Sequence, residues 1–232
     1  MTPPPRSEPS TSDPAPLVRA ARLRPGVIHV AAGARLARAL GQVVLGLWLV
    51  AMLGLGAALL AKHLVALPTP PRDDPAVAAA VSARAPRGAW FAVHILYRPC
   101  PCSGRILAHL LATTRPADLR EQVVLVDDVA RDDDTVARLR ARGFVVELLT
   151  PAELAARWHD EASPLLVIAD PGGAVRYVGG YGRHKQSPIV EDLAILADLR
   201  AAHDRAALPV FGCATSARLS RRVDPLGLAR WR

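Results

Sequence analysis

Several signatures of common biochemical classes are missing from this chain of 232 residues. No stretch matches a phosphate-binding P-loop or a dinucleotide fingerprint. The glycine-rich run at 179–182 lacks both the six-residue spacing and the helix start that such a fingerprint needs, so a turn is expected there. No internal repeat is evident either. The sequence therefore gives no support for a nucleotide-binding enzyme or a repeat protein.

A nucleic-acid-binding function is also not expected, although the net charge is +8 and the isoelectric point is near 10.4. The charge is unevenly spread: after Lys62, 22 Lys and Arg face 19 Asp and Glu, which leaves only +3. The excess lies before an apolar segment and near the C-terminus, where five arginines occur: Arg218, Arg221, Arg222, Arg230 and Arg232.

One stretch has no charge at all, from Ala39 to Ala61, and Gln42 is its only strongly polar side chain. It is long enough to span a bilayer. A cleaved signal peptide is the alternative, but its apolar region is typically shorter and nearer the start. Cations concentrate before the segment, which predicts a cytoplasmic N-terminus: Arg19, Arg22, Arg24, Arg35 and Arg38.

The flanking composition divides the rest of the chain. Residues 1–38 are rich in Pro, Ala, Ser and Arg without an apolar period, which predicts a disordered cytoplasmic tail. Residues 62–87 contain five prolines among small residues and are expected to form an extended linker. A folded domain is predicted over 88–202, followed by a tail over 203–232 that carries Cys213.

Strands alternate with helices in the predicted domain, so its class is α/β with a mixed sheet flanked by helices. Apolar runs predict strands at 90–97, 121–128, 144–149, 165–169 and 174–178, the last two joined by a hairpin turn. Helical spacing and capping residues predict helices after Pro101, after Asp132 to Asp134, from Pro151 to Trp158, and after Ser187.

The chain has only three cysteines, and two of them, Cys100 and Cys102, fall where the first strand meets the first helix. Cys100 at the helix N-cap, with Arg98 nearby, predicts a lowered thiol pKa. A bond between Cys100 and Cys102 would be strained and easily reduced, and Cys213 is the alternative partner. The odd count in an oxidising compartment predicts thiol exchange.

Two other interpretations of these residues stay open. Two cysteines could form an inert disulfide with the third buried. Alternatively, Cys100 and Cys102 with His184 could bind copper, since thiolates and imidazole are ligands for soft metals. His94 and His109 are expected to be ordinary packed or surface histidines. The pair Asp127 and Asp128 is expected to lie in a turn.

The order of elements and the segment SPLLVIADPGGAVRYVGGYG resemble membrane-anchored thioredoxin-like proteins of the TlpA and ResA type, over roughly Trp90 to Leu199. The resemblance implies a cis proline at Pro164, packed against the active-site cysteines. It departs from the family's Trp-Cys-x-x-Cys pattern, because here only Pro101 separates the two thiols. The segments CPCS and FGCATS also resemble the RedB-like group of bacterial thioredoxin-domain proteins.

The resulting expectation is a thiol–disulfide oxidoreductase at a bacterial inner membrane, with its domain in the periplasm and protein thiols or disulfides as partners. Cys100 is expected to attack, Cys102 or Cys213 to resolve, and Pro164 to shape the partner groove; no cofactor is expected. A copper-binding module and a non-catalytic domain of the same fold are the alternatives.

Overall fold

The computed structural model describes residues 26–64, 66–129, 133–185 and 187–224. The first 25 residues of the predicted disordered tail, Asp132 at the predicted helix start, and the cations Arg230 and Arg232 lie outside these ranges. By chain contacts the protein consists of two units, Met1–Leu55 and Gly56–Arg232.

Helix α1 (Gly26–Leu64) is longer than the apolar segment at both ends. It starts inside the stretch that was expected to be disordered, which shows that the arginines of residues 26–38 do not prevent helix formation. Within it, Gly33–Leu59 is long and apolar enough to cross a membrane, with a mean hydropathy of 2.1 and no buried side chains. It is the single helix of this kind among the described residues.

A five-stranded mixed sheet forms the centre of the second unit, in the order β3-β2-β1-β5-β6. Three strands run parallel: β1 (Trp90–Tyr97), β2 (Leu119–Val126) and β3 (Val145–Leu149). β5 (Leu165–Ala169) is antiparallel to β1 and pairs with β6 (Val175–Gly179) through the turn that was predicted as a hairpin. The predicted strands therefore all form, with end points shifted by at most two residues.

Helices cover both faces of this sheet, because alternate side chains of each strand point to opposite sides. In β1, Phe91, Val93 and Ile95 join one buried cluster, and Ala92 and Leu96 join the other. The first cluster is completed by α2 (Pro75–Ser82), α5 (Pro151–Trp158) and α7 (Ala217–Val223), and the second by α3 (Pro101–Ala112), α4 (Asp134–Ala141) and α6 (Asp192–Arg200). The arrangement is a thioredoxin-like fold.

The prediction of an extended linker over 62–87 is wrong in its second half. Asp74 caps α2 by accepting hydrogen bonds from the amides of Ala76 and Val77, with Pro75 in the first turn. Val77 and Val81 are fully buried, so α2 belongs to the core. The five prolines in this segment predict an extended linker and not a helix. Proline is nevertheless well tolerated at a helix start.

The C-terminal tail also belongs to the folded domain. Val210 forms an isolated antiparallel bridge with Leu67, and β7 (Cys213–Ala214) pairs with β4 (Ala162–Ser163). Leu219 of α7 is 3% exposed in the first cluster. The segment after residue 202 therefore packs along one edge of the core. This packing fixes the position of Cys213.

The last predicted helix begins later than expected. Ser187 and Ile189 lie in a loop, where the Ser187 hydroxyl donates to the Ile189 carbonyl, and α6 starts at Asp192. Ile195, Leu196 and Leu199 supply its buried face. Ile189 is instead 67% exposed, so it was wrongly assigned to the apolar face of this helix.

Candidate functional site

Cys100 occupies the N-cap of α3, directly after β1 ends. Its backbone is extended (φ −84°, ψ 118°), Pro101 starts the helix, and the amide of Gly104 donates to the Cys100 carbonyl at 3.0 Å. The Cys100 amide in turn donates to the carbonyl of Tyr97 at 3.0 Å, which closes a tight turn around Arg98 and Pro99. The strand-to-helix junction that the sequence predicted therefore holds the first thiol at the positive end of a helix.

Hydrogen bonds of Ser163 hold the segment around the Ser163–Pro164 bond next to this junction. The peptide bond between Ser163 and Pro164 is cis, as the resemblance implied. The Ser163 hydroxyl accepts from the Tyr97 amide at 2.7 Å, donates to the Ile95 carbonyl at 3.1 Å and lies 3.1 Å from the hydroxyl of Ser103. One buried side chain thus links the cis segment to both β1 and α3.

Cys213 reaches the same place from the far end of the chain. In the β4–β7 pair it lies directly opposite Ser163. The approach depends on Gly212, since a Cβ added there would lie 1.8 Å from the Ser163 carbonyl oxygen and 2.6 Å from Cδ of Pro164. The structure therefore brings together all four residues predicted for the site: Cys100, Cys102, Cys213 and Pro164.

All three cysteines are free thiols, and their hydrogen bonds converge on Cys100. The thiol of Cys102, and then that of Cys213, donates to the Cys100 sulfur and lowers the pKa of Cys100 to about 3 despite its burial; the amides of Ser103 and Cys102 add to this effect. The pKa values of Cys102 and Cys213 are raised, first because each thiol donates to Cys100 and second because both are partly buried. The negative charge therefore resides on Cys100.

The guanidinium of Arg98 binds two carboxylates, with Nε 3.4 Å from Oδ2 of Asp127 and Nη1 2.5 Å from Oδ2 of Asp133. The helix-start amides of Cys102 and Ser103 contribute to the lowered pKa of Cys100, in agreement with the expected effect of the helix N-terminus.

A small groove that is open to solvent lies beside the thiols. Cys102 and Pro164 line one side of it, and the loop between β6 and α6 lines the other. Cys100 is 1% exposed and does not line the groove. A molecule that enters this groove therefore meets Cys102 first. The full lining combines apolar, glycine and basic residues without an acidic one: Cys102, Arg105, Ile106, Pro164, Gly180, Tyr181, Gly182, His184, Ser187, Ile189, Val190, Pro209 and Phe211.

The copper alternative concerns Cys100, Cys102 and His184. His184 lines the groove with Cys102, and the described residues contain no group of three His, Cys, Asp or Glu side chains at metal-binding spacing. The structure places His184 as an exposed member of the groove wall.

Sequence reasoning missed a buried polar network on the other side of β1. The ring of His94, which is fully buried, lies 2.9 Å from the Tyr181 hydroxyl and 3.0 Å from Oε1 of Glu121. Arg115 binds Glu121 and also lies 2.8 Å from Oδ2 of Asp192. No spacing rule joins these positions, because they come from five separate segments of the chain. Tyr181 connects the network to the groove.

The comparisons with known proteins show similarity of fold only. No family model matches the chain, and no curated protein matches it. Among solved structures, an uncharacterized conserved protein from Geobacillus kaustophilus is 16% identical with a TM-score of 0.43, over 56% of this chain and 77% of that one. The thioredoxin domain of a thiol-disulfide oxidoreductase from Bacteroides vulgatus is 15% identical with a TM-score of 0.34, over 49% and 80%. StoA from Bacillus subtilis is 14% identical with a TM-score of 0.27, over 40% and 75%.

Proposed function

We propose that this protein is a thiol–disulfide oxidoreductase in which Cys100 is the central thiol of a three-cysteine relay. One observation carries the proposal: the Cys100 sulfur lies 4.0 Å from the carbonyl oxygen of Ser163, the residue opposite Cys213 in the β4–β7 pair, and Cys102 lies in the first turn of α3, whose N-cap is Cys100. An inert staple needs two cysteines and leaves the third apart. Here all three cysteines come together at one helix start, which allows exchange between them.

Exposure assigns the first step to Cys102. Because Cys100 is buried and Cys102 lines the groove, an incoming disulfide reaches Cys102 before it reaches Cys100. The Cys102 sulfur attacks, and its proton passes to Cys100 in the same step, because formation of the S–S bond makes that proton strongly acidic. A mixed disulfide forms between Cys102 and one half of the substrate, whose other half leaves as a thiolate. The sequence-based expectation that Cys100 attacks first is the alternative order.

Cys100 then resolves the mixed disulfide. It gives up its proton to the departing substrate thiolate and attacks the Cys102 sulfur, which releases the second substrate half and forms a Cys100–Cys102 bond. Two electrons and one proton have passed from the protein to the substrate, and the other substrate half leaves as a thiolate. The same steps in reverse oxidise a dithiol.

Cys213 completes the relay. A bond between cysteines only two positions apart is strained and easily opened. The neighbouring Cys213 thiol attacks Cys100, displaces the Cys102 thiolate and forms a Cys100–Cys213 bond, so Cys102 again faces the groove as a free thiol. Pro164, which lines the groove beside Cys102, shapes the approach of the substrate.

Kinetics of single-cysteine variants test this assignment. Full-length protein in a non-ionic detergent is reduced, and its reaction with a peptide disulfide is followed. Cys102→Ser should abolish mixed-disulfide formation. Cys100→Ser should still form the mixed disulfide but fail to release it, and Cys213→Ser should turn over with a different final disulfide. Unchanged turnover in both Cys100→Ser and Cys102→Ser would reject the proposal.

The apolar part of α1 supports a membrane-anchored, extracytoplasmic location. Side chains from Gly33 to Leu59 are unburied, and arginines concentrate before this span. We therefore place the N-terminus in the cytoplasm and the thiol domain in the periplasm of a bacterial inner membrane, with the RedB-like group as the proposed subgroup. An alkylating reagent that cannot cross the inner membrane should label Cys102 in intact spheroplasts. Labelling only after lysis would contradict this orientation.

A further inference from the structure

The charge of the groove points to a class of substrate. The residues that line it include Arg105 and His184 but no Asp or Glu. Arg105 follows Cys102 by three positions in α3, so both side chains lie on the same helix face. Lys185 in the loop between β6 and α6 acts electrostatically on both Cys102 and Cys213. Two cations therefore flank the thiol that meets the substrate.

These cations are not neutralised by the protein itself. Within the described part of the chain, neither Arg105 nor Lys185 forms an ion pair, whereas most of the other cations of the domain do. The nearby carboxylate of Glu191 is bound by Arg205, and Arg183 lies 3.9 Å from it. The groove therefore has a positive electrostatic potential that can attract an anionic ligand.

The groove rim also carries an exposed apolar side chain. Ile189 is 67% exposed, and together with Phe211 and Pro164 it gives the groove an apolar wall. Outside α1, only Val129 and Val145 are comparably exposed large apolar residues among those described. An uncovered apolar rim around a basic floor fits an extended peptide better than a small polar thiol, since a peptide supplies apolar side chains as well as charge.

We infer that the groove binds a segment of a partner protein in which the reacting cysteine is flanked by acidic residues, with an apolar residue that packs on Ile189. The inference rests on the proposed function, because the bound segment is the thiol-exchange substrate. Its carboxylates pair with Arg105 and Lys185, and its sulfur is thereby held next to Cys102. The exchange itself follows the steps given above, with the segment's disulfide as the oxidant.

Three peptides test the inference. They differ only in the residues on both sides of one cysteine, which are Glu, Gln or Lys, and each cysteine is linked to neutral 2-thiopyridine. Reduced full-length protein in non-ionic detergent releases thiopyridone, which absorbs light. Rates are divided by that for 2,2′-dithiodipyridine, which removes any change in the intrinsic reactivity of the thiol.

The Glu peptide should react about three- to tenfold faster than the Gln peptide, and the Lys peptide slower, as expected for partly exposed charge pairs. High salt should shrink the difference. The double variant Arg105→Gln, Lys185→Gln should bring the three rates within about twofold, while Arg138→Gln on the exposed face of α4 should leave the preference intact. Ile189→Ser should slow all three about fivefold, and Val145→Ser should not.

The outcomes separate this inference from the proposed function. Equal rates for the three peptides would overturn the inference and leave thiol exchange standing. No thiopyridone release from any disulfide would overturn both. A faster reaction with the mixed disulfide of glutathione and 2-thiopyridine than with the Glu peptide would identify a small anionic thiol as the occupant and reject the protein segment.

Discussion

Cys213 lies directly opposite Ser163 in the β4–β7 pair, and the sulfur of Cys100 lies 4.0 Å from the carbonyl oxygen of the same serine. Ser163 therefore fixes the third cysteine through a backbone pairing and the first through its side-chain bonds to β1 and α3. The convergence of the thiols depends on this one segment. Each prediction below tests a different part of that arrangement.

Gly212→Ala should disrupt the approach of Cys213. Its Cβ would clash with backbone at the Ser163 carbonyl, and relief of such overpacking costs about 1–3 kcal/mol. We expect a matching loss of stability in denaturant unfolding and a loss of any Cys100–Cys213 bond. Gly104→Ala in α3 is the matched control: nothing lies within 4 Å of its added Cβ, and alanine favours a helix by about 1 kcal/mol. Equal stability of the two variants would contradict the close approach.

Cys100 should be a thiolate in mildly acidic solution. Its pKa is lowered from 9.0 to about 3, so between these values the unfolded state holds a proton that the folded state does not. This contribution to stability is present above pH 9 and is lost as the pH falls through 3. Reduced wild-type protein should show thiolate ultraviolet absorbance at about pH 5 that Cys100→Ser lacks. Equal absorbance in the two proteins would show that the charge resides elsewhere.

Glu121→Gln should be strongly destabilising. Burial raises the pKa of Glu121, but hydrogen bonds from His94 and Arg115 outweigh it and lower the pKa to about 2. Removing this charge leaves Arg115 buried with fewer partners, at a cost of about 3–5 kcal/mol in denaturant unfolding. Arg218→Gln breaks the exposed pair with Glu161 and should cost far less stability, because solvent screens that pair. Similar losses in both variants would refute a structural role for the buried network.

Asp160→Asn should stabilise the protein above neutral pH. Burial raises the pKa of Asp160 to about 7, against the lowering effect of the amides of Ala162 and Glu161. Between its ordinary pKa of 3.8 and 7 the folded state holds the extra proton, so stability falls as the pH rises through this range. The asparagine side chain does not ionise, so the variant does not lose stability in this range. It still accepts a hydrogen bond from the Ala162 amide. Its advantage should be clear at about pH 8 and absent at about pH 4; a pH-independent difference would contradict the assignment.

Much of the fold could be predicted from the sequence because it is encoded locally. The apolar run of β1, the proline that starts α3, and the turn between β5 and β6 each depend on a few neighbouring residues. The position of Cys100 at a helix N-cap followed from the same local pattern. These features place Cys100 at the start of α3, in agreement with the structure.

The rest of the site depends on contacts that no local pattern contains. The pairing of Cys213 with Ser163 joins distant segments, and the burial of Cys100 beside an accessible Cys102 follows from that closure. Arg98 is near Cys100 in sequence, but its ion pairs with Asp127 and Asp133 join segments that no local pattern connects. The basic lining of the groove likewise combines Arg105 of α3 with His184 of the loop between β6 and α6.

Disulfide mapping of the full-length protein across a glutathione redox series tests the central claim most directly. Mass-resolved alkylation would report the state of Cys100, Cys102 and Cys213 at each potential. The account predicts that Cys100 is in every intramolecular bond, with Cys102 as its partner early in oxidation and Cys213 at equilibrium. A stable bond between Cys102 and Cys213 with Cys100 left free, or three thiols that never pair, would contradict the relay.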